Sequence, residues 1–333
     1  MTTLNDVAKR ANVSKMTVSR AINHPEQVTD ELKELVFAAM KELNYRPNTA
    51  AKALVNNRTL VIKLFILEEM DVTEPYYMNL LTGIAQGLDK EQYSLQLVTK
   101  NNFDLGLCDG YIMTGVRQED YAWINGANKP VVLFGENDHG YDFIDTNNKK
   151  GVSIATEYAA ELGYEHFVFV GIDVNETFER SREAGFLEIV QHHQKDARII
   201  RFENRSRYSA AYVEENWEQF EHNTVFICSS DRLAIGVERA IQKMNGSIPK
   251  DFGIIGHDGI FLDQIAFPRL TTIRQPVVEM GEACAKMILK KIKEKGKSQG
   301  KQFFDSKLIP RETTRKPSKE KTSSLALAAE DAE

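Results

Sequence analysis

From Leu60 onward the chain alternates between short apolar runs and amphipathic helical segments, and this alternation constrains its fold more than any other feature. The run "LVIKLFIL" is almost continuously apolar, which is typical of a parallel strand buried on both faces. Similar runs follow as "YSLQLVT", "GYIMTG", "PVVLFG", "HFVFVG", "ARIIRFE", "TVFICSS" and "FGIIGHDG", mostly with helical segments between them. The pattern predicts a doubly wound α/β fold, and the number of strands predicts two subdomains.

The carboxyl ends of these strands carry polar and aromatic side chains. Ligands of doubly wound sheets bind at such ends, because the loops there form a crevice. The residues concerned are Tyr76, Tyr77, Asp145, Asp173, Ser230, Asp231, His257 and Asp258. We therefore expect a ligand cleft at this edge of the sheets.

A different pattern precedes Leu60. The stretch "LNDVAKRANVSKMTVSRAIN" predicts two short helices joined by "ANV". Thr3 and Asp6 have the spacing of a capping box, and Ser14 is a good N-cap for the second helix. Thr29 is expected to cap a third helix, whose apolar stripe includes Leu35. Three helices with one shared apolar face predict a small bundle.

The charge of the chain is unevenly distributed. The net charge is −6, but residues 1–60 hold nine Lys or Arg and six Asp or Glu, so they carry +3 and the remainder carries −9. Lys9, Arg10, Lys15 and Arg20 lie within twelve residues. Such a local field attracts a phosphate backbone, although a solvated helix surface is the alternative interpretation.

Two further segments are polar and weakly structured in sequence terms. "RPNTAAKALVNNRT", residues 46–59, is consistent with a linker that contains one short helix, which would be marginal on its own in water. The tail "KPSKEKTSSLALAAEDAE" is low in complexity, and we expect it to be disordered.

Several classes of protein are disfavoured. Three widely spaced cysteines suit a reducing compartment and argue against a disulfide framework or structural zinc. No run of eighteen apolar residues and no apolar signal segment is present, so we expect a cytoplasmic protein without a membrane span. The chain lacks a dinucleotide fingerprint, a P-loop and a nucleophile elbow, so we expect no enzyme, no cofactor and no metal.

Three stretches resemble the LacI/GalR family of bacterial transcription regulators. "TLNDVAKRANVSKMTVSRAIN" is similar to the family's helix-turn-helix, and "ELNYRPNTAAKALV" is similar to its hinge helix. "CSSDRLAIGVERAIQKMNGSIPKDFGIIGHDGI" with "PRLTTIRQP" resembles its effector-domain signature. The resemblance extends from Thr3 to about Arg315. It departs from the family between "LQLVT" and "GYIMTG", where about ten residues stand in place of some twenty and one helix is expected to be missing.

The resemblance implies an all-α helix-turn-helix headpiece followed by an α/β effector domain of two doubly wound subdomains, similar to a periplasmic binding protein. The expected boundaries are a headpiece at 1–46, a hinge and linker at 47–59, an effector domain at 60–315 and a tail at 316–333. Subdomain one is expected at 60–147 and 276–299, and subdomain two at 148–275 and 300–315.

The resemblance also implies roles in DNA binding. Lys15, Met16 and Arg20 occupy the positions that read bases in the major groove. Phosphate contacts are expected from Ser14, Thr17, Ser19, Asn23 and Thr29. In the hinge helix, Leu54 occupies the position of the leucine that is inserted into the minor groove, and Asn48 and Ala51 would lie near the DNA backbone.

In the effector domain, Arg182 and Asp258 stand where the family holds sugar hydroxyls. Asp231 could act likewise or could merely be the N-cap of a helix, and Tyr76, Tyr77 and Tyr208 could stack on a sugar ring. Arg180, together with Lys149 and Lys150, would make the cleft basic, and we therefore expect an anionic effector such as a hexuronate or a sugar phosphate.

These residues predict a repressor of a carbohydrate operon that is released by a small inducer and acts as a homodimer on double-stranded DNA with a pseudo-palindromic operator. A purine- or nucleoside-responsive regulator, a co-repressor or activator mode, and a secreted sugar-binding protein on the same fold are the alternatives.

Overall fold

The computed structural model describes residues 2–23, 25–45, 58–68, 75–99 and 106–316. It divides the chain into two units, Met1–Leu60 and Val61–Glu333. The hinge helix predicted within residues 49–55 and the tail beyond residue 316 lie outside the described residues.

The described residues of the first unit form three α-helices, α1 (Leu4–Arg10), α2 (Lys15–Asn23) and α3 (Asp30–Glu42). The capping box predicted for α1 is confirmed, because the backbone N–H of Thr3 donates to Asp6 at 2.9 Å and the Thr3 hydroxyl accepts from the N–H of Asp6 at 3.4 Å. The Ser14 hydroxyl accepts from the N–H of Thr17 at 3.0 Å and caps α2 as predicted. Thr29 precedes α3, but its side chain makes no capping hydrogen bond, so that part of the prediction is wrong.

Small apolar side chains form the core of this unit. The buried members are Val7, Ala8, Ala11, Val18, Ala21, Val36 and Ala39. Alanine allows the three helices to approach closely, which is how so short a chain forms a core. Leu35 is 53% exposed and does not belong to the buried stripe that the sequence predicts, since its neighbour Val36 takes the inward position.

The second unit is built on two six-stranded sheets. The first has the strand order β11-β5-β4-β3-β1-β2, and the second has the order β12-β10-β9-β8-β6-β7. The first sheet comprises β1 (Val61–Ile66), β2 (Ser94–Thr99), β3 (Gly110–Thr114), β4 (Val131–Phe134), β5 (Phe143–Thr146) and β11 (Lys301–Phe304). The second comprises β6 (His166–Ile172), β7 (Asp196–Phe202), β8 (Thr224–Cys228), β9 (Phe252–Asp258), β10 (Thr271–Arg274) and β12 (Lys307–Ile309).

Helices cover both faces of each sheet. Lobe one is the first sheet with α4 (Pro75–Asp89), α5 (Tyr121–Ile124) and α11 (Val277–Lys293). Lobe two is the second sheet with α6 (Asn148–Glu161), α7 (Thr177–His192), α8 (Ser206–Glu215), α9 (Asp231–Lys243) and α10 (Leu262–Ile265). The fully buried residues form two core clusters per lobe, and no such cluster includes buried residues of both lobes in the described part of the chain.

All strand pairs are parallel except the pair β10–β12. The eight strands predicted from apolar runs are confirmed. The sequence analysis missed β5, β10, β11 and β12, because each has only three or four residues and carries charged or hydroxyl side chains, so no apolar run marks it.

The chain passes between the lobes three times, after β5, after β10 and between β11 and β12. Because the sheets are parallel and their strands end toward these crossings, the carboxyl ends of both sheets face a shared crevice.

Candidate functional site

The amino-terminal turns of α2 present the side chains that the sequence predicts to read bases. Lys15 and Arg20 are exposed, and Met16 is 62% exposed although it is apolar. Ser14 and Thr17 hydrogen-bond each other through their hydroxyls at 2.8 Å at the start of the helix. The short α2 therefore combines a rigid, capped beginning with an exposed set of one apolar and two cationic groups.

Other predicted DNA-contacting residues differ in their placement. Ser19 is half-buried and Thr29 is exposed, while the side chain of Asn23 is outside the described part of the structure, as are Asn48, Ala51 and Leu54. Arg10, one of the four clustered cations, forms two contacts with the Glu42 carboxylate at 2.9 and 2.6 Å. This pairing neutralises Arg10 within the first unit, so the basic surface is smaller than the sequence suggests.

The crevice of the second unit is a cavity of about 630 Å³. Its walls come from residues at or just after the carboxyl ends of β1, β3, β4 and β5 in lobe one and of β6, β7, β8, β9 and β10 in lobe two, together with residues of α4 and α7. A cavity of this size is typical of small-molecule sites. Of the effector residues predicted from sequence, the cavity is lined by Tyr76, Tyr77, Arg182 and Asp258.

Asp258 ends β9 and has a backbone φ of 127°, a conformation that residues other than glycine rarely adopt. Gln275 donates to its carboxylate at 2.9 Å, and both residues line the cavity. The neighbouring turn is held from beneath by Asp231, which accepts from the N–H of Gly259 at 2.8 Å. A strained residue held by its surroundings is a frequent feature of ligand sites.

Arg182 projects from α7 into the inner end of the cavity. Its guanidinium donates to Asn148 at 2.8 Å and to the carbonyl oxygen of Ser229 at 2.7 Å, and it lies 5.1 Å from the centre of the Phe178 ring. Asp145 lines the same end and accepts from the Asn148 amide at 3.0 Å. These contacts fix the orientation of the Arg182 guanidinium, so its remaining N–H donors point in a defined direction.

Aromatic side chains line the lobe-one wall. Tyr76 lies edge-on to Phe134 with 6.3 Å between ring centres. The Tyr77 hydroxyl donates to Glu68, which also pairs with Arg117 at 2.9 Å. A wall of rings beside fixed polar groups is suited to a ligand with apolar faces and polar edges.

Burial dominates the electrostatics of the cavity. It raises the pKa of Asp145 and of Glu68, and it raises the pKa of Tyr76 well above the usual value for a tyrosine. Carboxylates that are costly to ionise favour a ligand that supplies hydrogen-bond donors.

Three predicted effector residues do not line the cavity. Arg180 pairs with Asp138 at 2.8 Å, and Tyr208 is 37% exposed beneath the guanidinium of Arg207. Asp231 is buried, and burial together with the nearby charge of Asp258 raises its pKa well above normal. It is not the helix cap either, since the Ser230 hydroxyl caps α9.

The prediction of a basic cleft is also wrong. Lys149 pairs with Glu188 at 2.7 Å and Lys150 with Asp305 at 2.6 Å, both outside the cavity lining. Among the described lining residues, carboxylates outnumber guanidinium groups. The carboxylates belong to Glu68, Glu136, Asp145, Asp173, Glu176, Glu203 and Asp258, and the guanidinium groups to Arg117, Arg182, Arg205 and Arg232.

The sequence analysis missed several lining residues, among them Glu68, Arg117, Glu136 and Gln275. A signal for them existed. Glu68, Arg117 and Glu136 follow the predicted strands β1, β3 and β4 by two or three residues, so a full application of the strand-end rule would have included them. Gln275 follows β10, which has no sequence signal, so the rule could not have found it.

Comparison with known proteins agrees with this architecture. Residues 3–48 match the model of bacterial regulatory proteins of the lacI family, and residues 156–314 match that of a periplasmic binding protein-like domain. The HTH-type transcriptional regulator YvdE of Bacillus subtilis (strain 168) is 57% identical over 315 residues, covering 94% of this chain and 100% of that protein. The chain belongs to the lacI family. This family consists of DNA-binding transcriptional regulators rather than enzymes.

More distant relatives share the whole length of this LacI-type regulator. The ribose operon repressor of Halalkalibacterium halodurans is 29% identical and covers 95% of this chain and 98% of its own. The solved lac repressor dimer bound to operator and the anti-inducer ONPF has a TM-score of 0.70 at 22% identity, covering 95% of this chain and 99% of that one. The solved CelR–cellobiose complex also has a TM-score of 0.70, at 21% identity over 94% of this chain and 100% of that one. These structures share the fold.

Within the described ranges, no helix is both long and apolar enough to span a bilayer. The same part of the chain brings no three His, Cys, Asp or Glu side chains together in a way that would hold a metal ion.

Proposed function

We propose that this LacI-type regulator is a repressor whose binding to operator DNA is controlled by a neutral, sugar-type molecule in the cavity between the lobes. The observation that carries the proposal is the composition of the cavity. Arg182 of α7 and Asp258 at the end of β9 project into the cavity. Aromatic rings bound this space, and its lining holds more carboxylates than guanidinium groups.

Hydroxyl groups suit this lining. Each sugar hydroxyl can donate to a carboxylate such as Asp258 and accept from a fork such as Arg182, so vicinal hydroxyls fit a paired acid and base. The Tyr76 ring offers an apolar face for the carbon–hydrogen surface of a sugar ring. An anionic sugar would meet an excess of carboxylates, which is why we now favour a neutral ligand over the hexuronate that the sequence suggests.

On the DNA side, we propose that α2 lies in the major groove. Arg20 is suited to a bidentate contact with guanine, Lys15 to guanine or phosphate, and Met16 to a thymine methyl group. The phosphate contacts of Ser14, Thr17, Ser19, Asn23 and Thr29 and the hinge contacts of Asn48, Ala51 and Leu54 remain predictions. A homodimer on a pseudo-palindromic operator would double the limited area that one three-helix unit can bury.

Linkage connects the two ends. A ligand changes DNA affinity only if it binds one arrangement of the lobes better than another, and coupling of this kind is typically about 1–3 kcal/mol. We propose release of the operator on binding, since inducing sugars act in this direction on repressors.

A purine or nucleoside is the second candidate. Relatives 28–29% identical to this chain bear the name HTH-type transcriptional repressor PurR. The rings of Tyr76 and Phe178 in the cavity could stack on a base as well as on a sugar.

The test of the effector is a ligand panel on the full chain. We would measure thermal shift and calorimetric titration with neutral mono- and oligosaccharides, uronic acids, sugar phosphates and purines. We expect a neutral sugar to raise the melting temperature, and Asp258→Asn to weaken its binding at least tenfold. Asp305→Asn is the matched control, because that carboxylate is exposed and pairs with Lys150 outside the cavity. Binding by uronic acids, sugar phosphates or purines alone would contradict the proposal.

The DNA contacts are tested with duplexes selected from a random pool by the full chain. We expect Arg20→Ala to lose about 1–3 kcal/mol of base discrimination at one position of each half-site. Lys33→Ala serves as control, since Lys33 lies on α3 and pairs with Asp30. Equal losses for the two variants would contradict base reading by Arg20.

A further inference from the structure

A polar contact joins the two lobes at the rim of the cavity. Asp138 belongs to the loop between β4 and β5 of lobe one, and Arg180 lies in the first turns of α7 in lobe two. The guanidinium of Arg180 donates to the Asp138 carboxylate at 2.8 Å, and the hydroxyl of Thr177 donates to the same oxygen at 3.0 Å. The other arm of Arg180 donates to the carbonyl and side-chain oxygens of Asn175, both at 3.0 Å, which fixes the direction of the guanidinium.

Further contacts across the same rim support this pair. Ser181 of lobe two lies beside the Glu136 carboxylate of lobe one. Arg117 of lobe one lies 2.9 Å from Glu68 of its own lobe and 3.9 Å from Glu176 of lobe two. All of the lobe-two partners belong to the start of α7 or the residue before it, so this rim is a continuous polar seam.

Apolar packing between the lobes is sparse in the four described core clusters, where Ile260 of lobe two packs against the core of lobe one. The buried residues of each core cluster come from one lobe. The separation of the lobes at the mouth is therefore sensitive to a small number of charged and hydrogen-bonded groups.

We propose that Asp138 and Arg180 form a latch between the lobes that holds this rim of the cavity closed before any effector binds. Arg180 then acts on the effector site through the position of the lobes and is not a ligand-binding residue. The resting state of the sensor is set by a charge contact, and an effector shifts an equilibrium that the latch has already biased. The existence of the latch is independent of the proposed effector, whereas its regulatory meaning rests on the proposed function.

The experiment measures the lobe separation of the full-length protein without DNA or sugar. Nitroxide labels on Glu119→Cys in lobe one and Arg207→Cys in lobe two report the distance between the lobes by pulsed electron spin resonance. All three native cysteines are buried, so labelling is directed to the introduced ones. Labelled chains are diluted with unlabelled chains to suppress distances between copies.

We expect Asp138→Ala and Arg180→Ala each to lower the ratio of closed to open molecules by roughly two- to fivefold. This is the size of effect typical of an exposed, hydrogen-bonded ion pair. Because the pair is exposed, high salt should move the parent protein in the same direction. The charge-exchanged double variant Asp138→Arg with Arg180→Asp should restore part of the closed population.

Lys149→Ala is the matched control. Lys149 and Glu188 form an ion pair of similar length and exposure, 2.7 Å with side chains 55% and 57% exposed, against 2.8 Å with 51% and 65% for Arg180 and Asp138, but both of its members lie in lobe two. Unchanged distances in both latch variants would overturn the proposal, and so would an equal change in the control. Because no ligand is present, failure of the sugar panel leaves this result intact, and failure of the latch leaves the sugar panel intact.

Discussion

The two lobes repeat one strand order, and one of their differences lies in the connection that follows the edge strand, β2 in lobe one and β7 in lobe two. In lobe two, the 21 residues between β7 and β8 include α8, which packs against α9. In lobe one, the corresponding connection between β2 and β3 has ten residues, 100–109, and the four of them that are described, 106–109, are not helical. The two sheets therefore share one strand order although the corresponding connections have 21 and ten residues.

The two connections are held against their lobes by different contacts. In lobe two, the backbone of α9 approaches that of α8 closely at Gly236, and the Ser209 hydroxyl donates to the Leu233 carbonyl oxygen at 2.9 Å. In lobe one, Lys63 of β1 is only 2% exposed and donates to the Gly106 carbonyl oxygen at 2.9 Å. Lobe two thus uses close helix packing where lobe one uses a short segment of chain and a buried ammonium group.

The largest effect should come from breaking the contact between α8 and α9 of lobe two. A Cβ at Gly236 would lie 2.0 Å from the Ser209 hydroxyl oxygen and 2.1 Å from the Ser206 carbonyl oxygen, so Gly236→Ala forces α8 and α9 apart. We expect a loss of about 3 kcal/mol in the free energy of unfolding of lobe two.

The two tryptophans make the measurement specific, because Trp123 lies in lobe one and Trp217 in lobe two. Urea unfolding of a Trp123→Phe background follows lobe two through Trp217 fluorescence. Gly126→Ala, where a Cβ would meet nothing closer than 3.4 Å, is the control and should be close to neutral. A neutral Gly236→Ala would show that the close contact between α8 and α9 does not stabilise lobe two.

A second difference lies in the helix before the fourth strand of each sheet. In lobe two this helix is α9, which carries a buried carboxylate, and in lobe one it is the single-turn α5, which carries none. Burial raises the pKa of Glu238 to about 7, although Gln242 donates to it at 3.3 Å. The folded state therefore retains a proton that the unfolded chain releases above its ordinary pKa of about 4.5. The free energy of unfolding then falls as the pH rises from about 4.5 to 7 and stays lower above that range.

We expect Glu238→Gln to remove this dependence and to stabilise lobe two at pH 8 by about 2 kcal/mol. Unfolding followed through Trp217 at pH 5 and pH 8 measures both quantities. A variant that is destabilised equally at the two pH values would show that the charge of Glu238 is not the cause.

The sequence predicts the parts of this molecule that are determined locally. The caps at Thr3 and Ser14 and the strands with long apolar runs depend on neighbours in the chain, and they are confirmed. The short strands β5 and β12 depend on partners far away in sequence, and no local pattern marks them.

The cavity illustrates the same limit. The strand-end rule predicted the location of the cavity and included Tyr76 and Asp258 among its residues. The direction of each side chain, however, depends on tertiary packing. Arg180 and Arg182 are two residues apart on α7, so the helix turns them about 200° from each other, and only Arg182 faces the cavity. Asp231 lies at a strand end yet is turned into the core by its bonds to Gly259 and Thr272.

A smaller effect is expected at the short connection of lobe one. Lys63→Met removes the donor to Gly106 but also removes a buried charge, and these two effects oppose each other. We expect the free energy of unfolding of lobe one to change by less than about 1 kcal/mol, while hydrogen exchange at residues 106–109 becomes roughly tenfold faster. Lys129→Met, on the surface of the same lobe, is the control and should leave exchange there unchanged. Unaltered exchange in Lys63→Met would mean that the ammonium does not hold the short connection.

The smallest expected effect separates surface charge from close packing as the cause of the α8–α9 contact. Lys243 of α9 and Glu214 of α8 pair at 2.6 Å, with side chains 67% and 29% exposed. Lys243→Ala should cost only a few tenths of a kcal/mol in unfolding followed through Trp217, and high salt should abolish the difference, since water and ions screen such a pair. A loss above about 1 kcal/mol would mean that α8 is held against α9 by its charges. The close approach at Gly236 argues for the opposite, since a Cβ there would lie 2.1 Å from the Ser206 carbonyl oxygen, so packing of backbone against backbone holds α8 on α9.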